Sequence, residues 1–406
     1  MKELERKYVD LILQRCVNFE QSKSLMIHCD FKEHVPFAEL IKQRANELGI
    51  FDVCINVNDL DDIHDYLMST PVEEITLNPI INKSAWNEYA LKGGALVFLN
   101  STAPGLMDDV PAEKIDTWHK ISETVVPYYR AQVSKYTFPW CIVCMPNERW
   151  AKSLFPDCEN AYEKLYLYIM KMCMIDKKDP VAAWREYIDG NNYYKNTLNR
   201  LGIKTMHFTN SLGTDLTLEI PEDNIWLNLD KTDAKGGQMI ANMPSYEIFT
   251  TPDYRRTNGI VYSSRPLVYG GKVIEDFSIT FQDGKVIAVK AKKGQELLEK
   301  IIYETPGAEY LGEVALVQND SPISNTGLVF NTTLFDENAS CHLALGRGFA
   351  KTFKGHETMS DEELHERGLN LSKNHIDFMI GTPDLDISAE TKEGTQLVFK
   401  KGNFNI

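Results

Sequence analysis

The sequence predicts a two-part α/β protein: an N-terminal parallel α/β domain followed by a C-terminal α+β domain. Three observations carry this. Short apolar runs alternate with helical patterns through the first half, the signature of strands joined by helical crossovers. Beyond Ile203 strand follows strand, with hairpin turns between them. The 406 residues also exceed what one compact core organises. A boundary is expected at 190–205, giving domains at 1–200 and 201–406.

The chain opens on an amphipathic helix, with Leu4, Tyr8, Leu11, Ile12 and Cys16 recurring at steps of three and four. SLMIHCD (24–30) reads as a strand, and Phe37 to Leu48 as a helix stopped by Gly49. FDVCINV (51–57) and GGALVFLN (93–100) read as buried strands. Glu113 to Ser134 has helical character, and WCIVCM follows as a further strand. Helices are expected from Cys158 to Met174 and from Pro180 to Leu201, the second broken at Gly190. KTMHFTN and DLTLEI then pair around Gly213, and VIEDFSITF and KVIAVKA pair around Asp283-Gly284. That dipeptide is a strong hairpin signal, because both central positions must tolerate positive φ. A helix from Gln295 to Tyr303 follows.

Composition excludes several function classes. A formal charge of −15 is unsuited to nucleic acid or an anionic membrane surface, which require clustered Lys and Arg. No window approaches the roughly 18 uninterrupted apolar residues of a membrane span. Lys2, Glu3, Glu5, Arg6 and Lys7 are followed by no apolar h-region, so no secretory leader is expected. Eight scattered cysteines do not form a disulfide framework and agree with a reducing, cytoplasmic setting. Cys141 and Cys144, three apart on a strand, face opposite ways and read as core residues. Neither a GxxxxGK[ST] loop nor a GxGxxG after a strand is present.

The chemistry-bearing residues fall after residue 240, where carboxylates and histidines stand in apolar or Gly-rich contexts. A charge there must be compensated. Glu247 precedes a Thr-Thr-Pro loop in NMPSYEIFTTP. Glu313 is the single charge in the strand-like run YLGEVALV, where it must be paired, metal-bound or at a strand end. In LFDENASCHLALG, Asp336 or Asn338 is expected to cap a helix running through Leu343 and Leu345. Glu337 would begin that helix and His342 would follow one turn in, about 140° away around the axis. They converge only if Glu337 lies outside the regular helix. In NHIDFMIG, His375 and Asp377 are two apart on a strand and share a face, either as a two-ligand arm or with Asp377 merely orienting His375. Two histidines and up to four carboxylates suit a binuclear hydrolase holding Zn, Co or Mn. Paired ions polarise a carbonyl, activate a water and hold a substrate amine.

NMPSYEIFTTPD, GEVALV-x-x-DSPIS, LFDENASCHLALGR and H-x-DFMIG, in this order, resemble the aminopeptidase T family of metallopeptidases (the M29 peptidases, including aminopeptidase S and PepS types). The resemblance covers the chain length and most of the C-terminal half; the N-terminal half resembles the family only in its α/β pattern. It implies an exopeptidase that removes amino-terminal residues from peptides with two divalent ions (Co, Zn or Mg) and forms a homodimer. It further implies that Glu247, Glu313, Glu337, His342, His375 and Asp377 are metal ligands. Glu313 matches the carboxylate that bridges the ions or serves as general base. One position departs from the pattern. Seven residues after His342 the family carries a tyrosine proposed to assist the transition state, and this chain has Phe349. Either another group, such as Tyr254, Arg347 or a metal, supplies that role, or activity is reduced. Two other readings remain open: a metal-dependent amidohydrolase of small non-peptide amides, and a weakly active, metal-stabilised binding protein.

Overall fold

In the computed structural model, residues 2–76, 84–133, 135–269 and 272–406 are described. The chain forms two compact units, one of residues 1–186 with 230–244 and one of residues 187–229 with 245–406.

The first unit is built on a parallel sheet. Its strands run in the order Asp52–Val57, Ser24–Cys29, Ala95–Asn100, Trp140–Cys144 and Asn242–Met243. Every residue of Ser24–Cys29 is buried, as a central strand covered on both faces must be. Helices return the chain between strands. Asp59 caps Leu60–Ser69 by accepting from the amides of Asp61 and Asp62, and Asn147 caps Glu148–Leu154 through the amide of Trp150. The first helix, Lys2–Leu11, continues as a wider turn over Ile12–Cys16, and buries Tyr8, Leu11, Ile12 and Cys16. Cys141 and Cys144 lie on the Trp140–Cys144 strand and are both buried free thiols.

Two helical expectations need correction. The stretch expected from Glu113 is two helices, Ala112–Thr124 and Pro127–Val133, because Pro127 starts a new helix more easily than it continues an old one; Ser134 lies outside the described residues. Pro180–Leu201 is unbroken at Gly190. One glycine costs a helix only about 1 kcal/mol, and the neighbouring Asn191 and Asn192 fasten this turn by accepting from the Asn228 amide at 2.6 and 3.0 Å.

The second unit holds two antiparallel sheets. The larger is nine-stranded among the described residues. It contains the expected pair Thr205–Thr209 and Asp215–Glu219, and the long hairpin Lys272–Gln282 with Lys285–Lys293. Asp283 and Gly284, at φ 49° and 82°, make the turn of that hairpin. The smaller sheet carries the candidate site. Its strands run in the order His375–Met379, His342–Gly346, Leu311–Leu316, Ile248–Thr250 and Leu227–Asn228. Both sheets and the helix Gln295–Tyr303 contribute side chains to one apolar core, among them Phe208, Leu216, Ile279, Ile302, Leu316, Leu343 and Phe378.

The helix expected through His342 to Leu345 is not formed. A short helix, Thr333–Glu337, ends at Glu337, and His342–Gly346 is a fully buried strand between two antiparallel partners. Four apolar or small residues in a row after His342 suit either element, and pairing on both edges decides for the strand. Among the described residues, no helix is long and apolar enough to cross a membrane.

Candidate metal centre

The smaller sheet separates core from site by simple alternation. Registers place Ile248 opposite Leu316, Val314 opposite Leu343, Leu343 opposite Phe378 and Leu345 opposite Ile376. These residues face the apolar core. On the opposite face stand Phe249 beside Ala315, Ala315 beside His342, Glu313 beside Ala344, Ala344 beside Asp377 and Gly346 beside His375. Ala315, Ala344 and Gly346 are the small floor over which the polar side chains meet.

Glu313 reaches this face through an irregularity. Leu311 pairs with Leu345 but Glu313 pairs with Ala344, so Gly312 is one extra residue in its strand, a β-bulge. Without it Leu311 and Glu313 would share a face; with it Leu311 stays in the core while Glu313 turns to the site. Only glycine fits there, since a Cβ at 312 would run into the Gly346 and Arg347 carbonyls.

The side chains converge as two triads with one member in common. Glu247, Glu313 and His342 have ligand atoms within 4.8 Å of one another, and so have Glu313, His375 and Asp377. His342 Nε2 lies 3.3 Å from Glu247 Oε2. His375 Nε2 lies 3.1 Å from both Glu313 Oε2 and Asp377 Oδ1. Glu337 belongs to neither triad. It lies at the end of its short helix, where Asn338 Nδ2 donates to its Oε1 at 3.3 Å.

Both imidazoles are oriented from behind. His342 Nδ1 faces the Ser340 carbonyl at 3.1 Å, and His375 Nδ1 faces the Arg347 carbonyl at 2.7 Å. A carbonyl accepts only, so each Nδ1 carries the hydrogen and each Nε2 is left to face carboxylates. Glu313 and His342 are almost fully buried, at 4 and 1 % exposure. Burial, and the charges of Asp377 and Glu247, raise the Glu313 carboxyl above its ordinary range; His375 pulls the other way. Burial, Asp377 and Glu247 hold Glu337 well above it. Burial alone would lower His342, but its bond to Glu247 and the charges of Glu313, Glu247 and Asp377 push it up to about 10.

These residues fit a divalent ion on grounds of their own geometry. A lone-pair nitrogen facing carboxylate oxygens is repulsive unless a cation, proton or metal, sits between them. Asp377 Oδ1 is buried and, despite its closeness to His375, has no hydrogen-bond donor in line with it. The nitrogen and oxygen donor set suits a first-row divalent metal.

Comparison with known proteins decides the family. Residues 1–404 match the family described as thermophilic metalloprotease (M29). The chain belongs to this family. The M29 match extends through the N-terminal half, where motifs had shown only an α/β pattern. The chain is 34 % identical to aminopeptidase 2 of Geobacillus stearothermophilus over 99 % of its own length and 98 % of that protein. It is 33 % identical to aminopeptidase AmpS of Bacillus subtilis, covering 98 % and 97 %. The solved structure of wild-type AmpT from Thermus thermophilus superposes with a TM-score of 0.90 at 28 % identity, over 100 % of this chain and 99 % of that one. This M29 protein is accordingly a metal-dependent aminopeptidase, a hydrolase of peptides.

Several site features left little trace in the sequence. Phe249 shares the ligand face, and Phe349 leans on it with ring centroids 5.3 Å apart. Phe349 also packs 4.9 Å from the His375 ring. Asn338, wholly buried, accepts from the Tyr246 amide at 2.6 Å and donates to Leu334 O at 2.9 Å as well as to Glu337. The alternation of small residues with large ones in EVAL and HLALG was the available signal for the floor. Tyr254 is committed elsewhere. His365 Nδ1 faces the Leu369 carbonyl at 2.8 Å, so its Nε2 accepts from the Tyr254 hydroxyl at 3.0 Å.

Proposed function

We propose that this aminopeptidase works with two divalent ions, held by Glu247, Glu313 and His342 on one side and by Glu313, His375 and Asp377 on the other, with Glu337 completing the set. The observation that carries this is the membership of Glu313 in both triads. When bound, such a pair supplies Lewis-acid polarisation of the scissile carbonyl and an acidified water. The protein's own residues do the rest. Ser340 and Arg347 fix the imidazole tautomers through their carbonyls. Glu313 is the shared carboxylate, placed either to hold both ions or to serve as the general base that takes a proton from the attacking water and passes it to the departing amine. The surplus of carboxylates offers a place for the substrate's ammonium group.

The catalytic domain, expected at 201–406, is then the unit of residues 187–229 with 245–406, and the α/β domain expected at 1–200 is the unit of residues 1–186 with 230–244. Zn, Co and Mg are the ions proposed, the cytoplasm the compartment, and a homodimer the assembly. Elemental analysis beside hydrolysis of aminoacyl-p-nitroanilides tests the centre. Two equivalents of metal per chain, loss of activity with chelator and recovery with Co or Zn are expected. One equivalent at full activity would remove the paired-ion reading. Equal turnover of free and acetylated amino termini would favour an amidohydrolase instead. Light scattering should give twice the chain mass, and a chain mass alone would remove the dimer.

A further inference from the structure

We propose that Phe349 and Phe249 form an aromatic wall beside the metal centre, and that this wall selects peptides with an apolar amino-terminal side chain. The inference rests on the paired-ion reading of the site and adds the substrate class.

Phe249 stands two residues after Glu247 on the ligand face, opposite Ala315, and is 9 % exposed. Phe349 follows the His342–Gly346 strand by three residues and returns over that face. Its ring meets Phe249 edge-on, at 63°, and lies against the imidazole of His375. The loop is fastened at this point: the Phe349 amide donates to Thr251 Oγ1 at 3.0 Å, and Thr352 Oγ1 donates to its carbonyl at 2.7 Å. Despite that anchoring Phe349 remains 38 % exposed.

An apolar ring held rigidly in water beside carboxylates and imidazoles neither coordinates nor donates. Its chemistry is limited to covering, and being covered by, apolar surface. A substrate whose ammonium is drawn to the carboxylates brings its first side chain within a few ångströms of the same group of residues. Leucyl and phenylalanyl side chains gain by covering Phe349, whereas an alanyl methyl covers little of it. Glutamyl side chains meet the negative charges of Glu247, Glu337 and Asp377. The structure thus ranks Leu and Phe above Ala, and Glu last.

The test uses the full chain loaded with Co or Zn and the p-nitroanilides of Leu, Phe, Ala, Lys and Glu. Wild type should favour Leu and Phe over Ala by about tenfold or more in kcat/KM, the scale set by added apolar contact. Phe349→Ala should narrow that ratio by about tenfold, chiefly through KM, while Phe349→Tyr keeps it. Calorimetric binding of phenylalaninol and alaninol should show the same order and the same narrowing without turnover. A flat profile, a preference for Lys, or a Phe349→Ala variant slowed equally on all five substrates overturns the wall. No hydrolysis of any substrate with either metal overturns the underlying enzyme reading instead, so the two failures are distinct.

Discussion

Glu313 and His375 touch, Oε2 to Nε2, at 3.1 Å, although their strands do not pair with each other. The His342–Gly346 strand lies between them, and it presents Ala344 and Gly346 on the site face. Contact across an intervening strand requires side chains this small.

Ala344→Leu should therefore separate Glu313 from Asp377 and weaken metal binding by about 10–100-fold, the range found when the surroundings of a metal ligand are disturbed. The neighbour on the other face is the control. Leu343→Ala should cost about 2–5 kcal/mol of stability and leave metal affinity nearly intact. Calorimetric metal titration and urea unfolding of both variants measure the contrast; similar metal affinities in the two would refute it.

Asn338 ties two ligand-bearing segments together, the Tyr246 amide beside Glu247 and the Glu337 carboxylate. Asn338→Ala removes both of these bonds, so metal affinity should fall about 10–100-fold and stability by about 1–3 kcal/mol. Asn338→Asp should be worse, because it sets a carboxylate against Glu337 and the Leu334 carbonyl. An Asp variant that bound metal like wild type would end this account.

Phe349→Tyr restores a hydroxyl where the family resemblance places one. Turnover of small substrates should rise, by up to about 10²-fold if the new group reaches the developing oxyanion. A kcat that stays level would show that another donor already serves. Tyr254 is not that donor, since its hydroxyl is engaged by His365.

Chelation should destabilise the protein. Saturation at a hundred times the dissociation constant is worth about 2.7 kcal/mol per site, seen as a rise in Tm on adding Zn or Co. Imidazole and carboxylate ligands bind metal only when deprotonated, so the rise should shrink as pH falls toward 5. Calorimetry at pH 7.5 and 5.0, with and without metal, checks both the size and the sign.

Much of this site was legible from residue spacing. His375 and Asp377 are two apart in a strand-like run, and period two puts them on one face. Glu313 was conspicuous as the lone charge among apolar neighbours. His342 was not legible in the same way, because HLALG suits a helix as well as a strand and only its two partners settle the matter. The bulge at Gly312 was hidden too, since strict alternation would have put Leu311 and Glu313 on the same side. The strands Ser24–Cys29, Asp52–Val57, Ala95–Asn100 and Trp140–Cys144 and the Val35–Glu47 helix followed from local pattern, while the edge strand Asn242–Met243 and the continuous Pro180–Leu201 helix depended on contacts far along the chain. Such distant contacts have no local signature.

The alternation in the smaller sheet also limits how this enzyme can change. Beyond the bulge, alternate positions of 313–316 and of His342–Gly346 serve two masters, one greasy and one ionic. A residue gained or lost inside either strand shifts the phase, sending histidine or glutamate inward and leucine outward. Such a molecule would lose its catalyst and its fold together. Variation in activity must arise by exchanging side chains in place, or by remodelling loops such as the one bearing Phe349, with the strand lengths held fixed.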